Sequence, residues 1–159
     1  MSNIEILRYK NHKFMFIDGR LWMWDTPEER ELQKELGEQA FGDVLIAGYG
    51  FGILTEFSMK NPKVNSLTTV EKYQEVIEKM KEFSKIYGKI IIGDFYTLSE
   101  NQKFDCIISD IWPDIDAKFL KDYVKFKKKA KKLLKRNGLI LAYGKDFFEY
   151  LLKNKVKKS

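Results

Sequence analysis

The chain of 159 residues has one Cys, one His and three Pro. A single thiol excludes an internal disulfide framework, so a reduced, cytoplasmic setting is expected. One thiol and one imidazole also argue against a zinc site or a His-based triad, and no metal is expected. No apolar run approaches the roughly 18 residues of a membrane span, and residues 1–9 lack the apolar core of a signal peptide. No membrane partner is therefore expected. What is present is 44% apolar residues, including the 14% of the chain that is aromatic, and 33% charged residues, which is enough to build one core and predicts a single domain.

The net charge of +6 is unevenly spread. Residues 1–116 carry 14 basic and 20 acidic side chains, whereas residues 117–159 carry 15 basic and 3 acidic ones. A basic C-terminal quarter is either the solvated face of a helix or a platform for polyanions.

Residues 4–9, 13–17 and 20–24 cluster β-branched and aromatic residues between Asn11-His12 and Asp18-Gly19, which predicts a small antiparallel meander. Thr26-Pro27-Glu28-Glu29 has the form of a helix start, with Thr26 as N-cap, Pro27 in the first turn and Glu29 as capping-box partner. That helix is expected to end near Gly42. Strands and helices then alternate: strands over 43–47, 64–70, 89–92, 104–109 and 139–143, helices over 53–59, 71–87 and 116–135. Apolar runs that do not alternate are buried on both faces, as in a parallel sheet. The expected divisions are 1–41 for meander and first helix, 42–144 for a ligand-binding core, and 145–159 for a basic helix or tail.

Residues 43–52 read D-V-L-I-A-G-Y-G-F-G, a strand entering Gly48-x-Gly50-x-Gly52. Glycines there permit a tight turn and close approach of a ligand to the start of the next helix. Glu71 ends the next strand, about 20 residues on, where a carboxylate can accept both hydroxyls of an adenosine ribose. Together they point to a nucleoside-type cofactor. The spacing departs from the dinucleotide fingerprint, since Ile53 stands where its third Gly belongs.

The G-x-G-x-G form resembles motif I of class I S-adenosylmethionine-dependent methyltransferases. Four further landmarks resemble that family in order: Glu71, Gly93-Asp94 (in GDFY), Ser109-Asp110-Ile111-Trp112-Pro113, and the Leu133–Leu139 stretch LLKRNGL, similar to the family's LLKPGG-type turn. The resemblance implies a Rossmann-like α/β fold with sheet order 3-2-1-4-5, here truncated after strand five and preceded by the meander. It implies S-adenosylmethionine as cofactor, with Gly48 and Gly50 at its methionine part, Gly52 also among the cofactor-binding residues, Glu71 on the ribose, Asp94 at the adenine amino group, Phe95 or Tyr96 flanking the ring, and Asp110 at the rim of the cofactor site. The missing strands six and seven leave an exposed edge, from which a homodimer is expected.

Asp110 leaves the fourth strand at the rim where a substrate meets the sulfonium. Methyl transfer requires an aligned nucleophile with a free lone pair, and a carboxylate can orient an amine or guanidine and take up its proton. Asp110 is the expected catalytic carboxylate, with Trp112 walling the site. Residues 21–27 (LWMWDTP) resemble the W-E-T-P stretch of guanidinoacetate methyltransferases, and D-I-W-P resembles their D-T-Y-P. That resemblance would set Asp25 beside Asp110 on the substrate cation. The hairpin F-M-F-I-D-G-R-L at 14–21 and D-x-x-P after strand four are similar to spermidine synthases, although Phe51 and Pro113 replace acidic residues of that family. The expected function is thus N-methyl transfer to a small amine or guanidine, with aminopropyl transfer, or cofactor binding without turnover, as the alternatives. Nucleic acid is a less favoured partner, because the basic residues of the long helix can equally be its solvated side.

Overall fold

The computed structural model describes residues 3–109, 111–112 and 115–158. An antiparallel meander comes first, formed by β1 (Ile4–Tyr9), β2 (His12–Ile17) and β3 (Arg20–Trp24). Its turns place Lys10, Asn11, Asp18 and Gly19 at positive φ. One face of β2 and β3 carries Met15 and Met23, and with Ile4 and Ile17 this face packs on Tyr49, Phe51, Val76 and Met80. The meander therefore lies over the glycine turn and the helix beyond it.

Helix α1 (Pro27–Gln39) starts as the sequence predicts: Thr26 Oγ1 accepts the Glu29 amide at 3.4 Å. The capping box is only half made, because Glu29 Oε1 accepts from Gln33 Nε2 at 2.9 Å and Glu29 Oε2 from the Tyr143 hydroxyl at 3.3 Å. The far end of α1 is held by Asn61, a buried side chain. Its Nδ2 donates to the carbonyls of Gly37 at 2.9 Å and Ala40 at 2.8 Å, filling acceptors that a helix end leaves orphaned.

The core is a parallel sheet of β4 (Gly42–Ala47), β5 (Val64–Glu71), β6 (Lys89–Ile92), β7 (Phe104–Ser109) and β8 (Leu134–Ala142), in the order β6-β5-β4-β7-β8. This is the expected 3-2-1-4-5 order. Val44, Leu45, Ile46 and Ala47 of the central strand are all inaccessible to solvent. Leu45 and Ala47 join a cluster with Tyr123 and Phe126, while Val44 and Ile46 face Leu54 and Ala40. Helices α2 (Ile53–Lys60), α3 (Gln74–Lys81), α4 (Leu120–Leu133) and α5 (Lys145–Lys158) complete the layers.

Several boundaries differ from the sequence reading, and helix α3 stops at Lys81 rather than at 87. Helix α3 begins at Gln74 rather than at residue 71, because Glu71 belongs to β5 and pairs with Ile92. The expected helix over 116–135 is a 3₁₀ turn at Ala117–Phe119 followed by α4, which stops at Leu133. Strand β8 then starts at once at Leu134, with Asn137 in the left-handed region at φ 66° beside Gly138. At the lower end of the sheet Lys135 Nζ bridges Asp43 at 2.9 Å and Asp105 at 3.2 Å, joining β4, β7 and β8; its hydrogen bond holds the Asp43 carboxyl below its ordinary value.

Strand β8 is the outer strand on its side, and the meander does not cover it. Lys145 Nζ reaches back to the Ile140 carbonyl at 2.6 Å. Among the described residues, no helix is long and apolar enough to cross a membrane.

Asn61→Ala removes the donor that serves two buried carbonyls. It should lower stability by about 2–4 kcal/mol, read from the urea midpoint, and Asn61→Asp should cost at least as much because it turns a carboxylate toward those oxygens.

Candidate active site

Gly48, Gly50 and Gly52 follow β4 at φ 94°, 53° and 73°, conformations that L side chains rarely adopt. The turn is stitched by its own amides: Gly48 N–H donates to Val70 O at 2.8 Å, and Gly52 N–H to Tyr49 O at 2.8 Å. The Tyr49 amide donates to Glu71 Oε1 at 3.0 Å, and the Tyr73 amide to Glu71 Oε2 at 2.9 Å. One buried carboxylate thus fastens the glycine turn to the chain leaving β5. Burial pushes the Glu71 carboxyl above its ordinary value, opposed by the amides of Tyr73, Tyr49, Gly50 and Lys72.

A cavity of about 290 Å³ opens at the carboxyl ends of β4, β5 and β7. Gly48, Gly50 and Glu71 line its floor, and Gly93, Asp94, Phe95 and Tyr96 form one wall. Asp94 caps the following 3₁₀ turn, with Oδ1 accepting the Tyr96 amide at 2.9 Å. Phe95 is buried, edge-on to Tyr96 at 5.4 Å between ring centroids. From α4, Lys125 and Asp122 reach the same wall, and Lys125 Nζ lies 4.0 Å from the Tyr96 ring centroid. Burial raises the Tyr96 phenol to about 12.

The opposite wall is apolar. Met15, Ile17, Trp22 and Met23 of the meander face Ile111 and Trp112 from the segment after β7. Trp112 touches the cavity but is 4% exposed; its Nε1 donates to Tyr143 O at 2.8 Å, and its ring meets Tyr123, Phe126 and Phe148 edge-on. Its indole therefore ties the rim to the end of β8 as well as walling the site.

The structure brings Gly48, Gly50, Glu71, Asp94, Phe95 and Trp112 together. It leaves two expected residues elsewhere. Gly52 lines a separate cavity of about 100 Å³, and a Cβ on it would stand 2.8 Å from the Tyr49 ring, so Gly52 makes room for Tyr49. Asp25 is 6% exposed at that same small cavity, accepting the Lys13 amide at 2.5 Å and pairing with Lys13 Nζ at 3.0 Å. It closes β2 onto the end of β3 and does not face the large cavity. Asp110 lies outside the described residues; Ser109 before it ends β7, and Ile111 after it lines the cavity. Sequence reasoning missed the meander residues. The signal for them was present, since Met15 and Ile17 alternate along one face of a strand.

No protein-family model and no curated protein matches the sequence. Solved structures do match. An S-adenosylmethionine-dependent methyltransferase from Clostridium acetobutylicum superposes with a TM-score of 0.52 at 22% identity, covering 74% of this chain and 50% of that one. Spermidine synthase from Thermotoga maritima superposes with a TM-score of 0.65 at 20% identity, covering 89% and 52%. Spermidine synthase in complex with the transition-state analogue AdoDATO gives the same values. The chain has the class I methyltransferase fold. It spans about half the length of these neighbours.

Gly52→Ala adds a side chain at positive φ against the Tyr49 ring. Stability should fall by about 1–3 kcal/mol. An unchanged urea midpoint would show that Tyr49 yields freely and that Gly52 is not there for packing.

Proposed function

We propose that the chain binds S-adenosylmethionine and transfers its methyl group to a nitrogen nucleophile of a small amine or guanidine. The observation that carries this reading is Glu71: a buried carboxylate at the cavity floor, its two oxygens fixed by backbone amides, with lone pairs remaining for a ligand. Around it the chain fits a nucleoside. Gly48 and Gly50 present no Cβ to a ligand, Asp94 has one oxygen committed to Tyr96 N–H and a second to offer an exocyclic amine, and Phe95 and Val76 supply apolar walls. Glu71 would hold the ribose hydroxyls, Asp94 the base, and the glycine turn the methionine part.

When bound, the cofactor supplies an electrophilic methyl. The chain's own contribution is position and dryness. Trp22, Met23, Ile111 and Trp112 exclude water from the acceptor end, where an incoming amine must shed its solvation to attack in line. Asp110, next after the end of β7, is the residue we assign to orient that amine and take its proton. Asp25 is given no role in this step, because Lys13 already neutralises it away from the cavity.

Aminopropyl transfer is the second reading. It is favoured by one observation, the superposition on spermidine synthase over 89% of this chain. Decarboxylated S-adenosylmethionine would sit on the same Glu71 floor.

Calorimetry with the two cofactors separates these readings. S-adenosylmethionine should bind the wild type, and Glu71→Gln and Glu71→Ala should weaken it by roughly 3 kcal/mol, about 100-fold, through lost charged acceptors. Affinity should also fall on acidification, starting above the ordinary Glu71 value of 4.5, because burial raises this carboxyl and its protonated form has lost an acceptor. Preference for the decarboxylated form would move the assignment to aminopropyl transfer; no binding of either would overturn the cofactor. With binding in hand, Asp110→Asn should cut turnover on an amine or guanidine about 100-fold or more while leaving cofactor affinity near wild type.

A further inference from the structure

Helix α4 turns Tyr123, Phe126, Ala130 and Leu133 into the core, where all four are fully buried. Of its lysines, two are partly buried and have acidic partners: Lys127 Nζ meets Glu149 at 2.8 Å, and Lys129 Nζ meets Glu100 at 3.6 Å. Lys121, Lys125, Lys128 and Lys132 are different. All four are exposed, and none has an ion-pair partner among the described residues. Their spacing of i, i+4, i+7 and i+11 sets them on one strip of the helix, about 16 Å long.

A strip of like charges at three- and four-residue spacing opposes the helix that carries it, by a few tenths of a kcal/mol per neighbouring pair. Helices α1 and α2 mix signs instead, as in Lys34 with Glu38 and Lys60 with Glu56. A merely solvated face would tolerate the same mixing. The four α4 positions carry no acid, although Asp122 stands beside the first of them, and one of the four, Lys125, lines the cavity with its ammonium over Tyr96.

We infer that this strip is a binding track for the phosphate backbone of a single-stranded nucleic acid, which touches the cavity at Lys125 and follows α4 away from it. Phosphates laid along the lysines replace condensed counterions, and their release drives association. A single strand suits the site because the four lysines form one row, with exposed Lys131 to one side of it, and the cavity at Lys125 is walled by the meander. An anionic membrane is the poorer fit: the apolar face of α4 is consumed by the core, which leaves no apolar side to insert into lipid. The inference does not depend on which cofactor fills the cavity.

Fluorescence anisotropy with labelled single-stranded DNA and RNA of about 20 nucleotides, titrated between ~50 and ~200 mM salt, tests it. The wild type should bind one or both with a steep salt slope. The triple variant Lys121→Gln, Lys128→Gln, Lys132→Gln should bind about tenfold or more weakly at ~50 mM salt, and its log–log salt slope should shrink by about 2, at roughly 0.7 per lost contact. A control with the same charge change on α3 and the turn after it, Lys79→Gln, Lys81→Gln, Lys85→Gln, should retain most of the affinity. Circular dichroism and the calorimetric response to S-adenosylmethionine, unchanged in the α4 variant, show that the fold and cavity survive. No binding at ~50 mM salt, equal losses in both triple variants, or binding to phosphatidylserine vesicles without binding to either nucleic acid would each overturn the track.

Discussion

The structure depends on one buried carboxylate. Glu71 sits where β5 ends, and the amides of Tyr49 and Tyr73 hold its two oxygens. Without it the glycine turn would have an unpaired amide in a dry setting, and the exit from β5 would have another. The same carboxylate sets where α3 can begin, because a residue engaged in the sheet and in a turn of its own cannot also be helical. Burial raises its pKa and the amides resist that rise. A charge kept in place by backbone dipoles rather than by a cation retains lone pairs for a ligand, which an ion pair would have consumed.

Two walls of different chemistry meet above that carboxylate. The wall from β6 and α4 is polar, with Asp94, Asp122, Lys125 and the Tyr96 phenol. The wall from the meander and the segment after β7 is made of thioethers, aliphatics and indoles. The division gives the cavity one polar and one apolar side. It also explains why the meander is attached to this sheet at all: Met15 is fully buried against the glycine turn and the helix it feeds, so the small sheet is both a packing layer and half of the cavity.

Much of this was legible in the sequence. The unbroken run Val44-Leu45-Ile46-Ala47 announced a strand buried on both faces, and the order of motifs around it gave the sheet order. Glu71 follows from its spacing after the glycine turn, Asp94 from the family resemblance alone, and both line the cavity. Gly52 and Asp25 were misplaced for a common reason. Each lies within a recognisable motif, but its neighbours in space decide its work: the Tyr49 ring for Gly52, and Lys13 across the β2–β3 pairing for Asp25. The abrupt passage from α4 to β8 was hidden because Leu134 continues an apolar helical stripe, and only pairing with Phe104 draws it into the sheet. Asp110 lies outside the described residues, so its expectation stands on the sequence.

The contact between Lys145 and the Ile140 carbonyl bears on how the outer strand β8 is protected. An outer strand is a template for another strand, and chains in solution must discourage that pairing. Here the first residue of α5 folds an ammonium back onto the outer strand, and Arg136 is exposed near the other end of β8. Any incoming backbone would have to displace a charged group from its acceptor and leave it without a partner. The edge thus carries its own guard against fibril-like stacking.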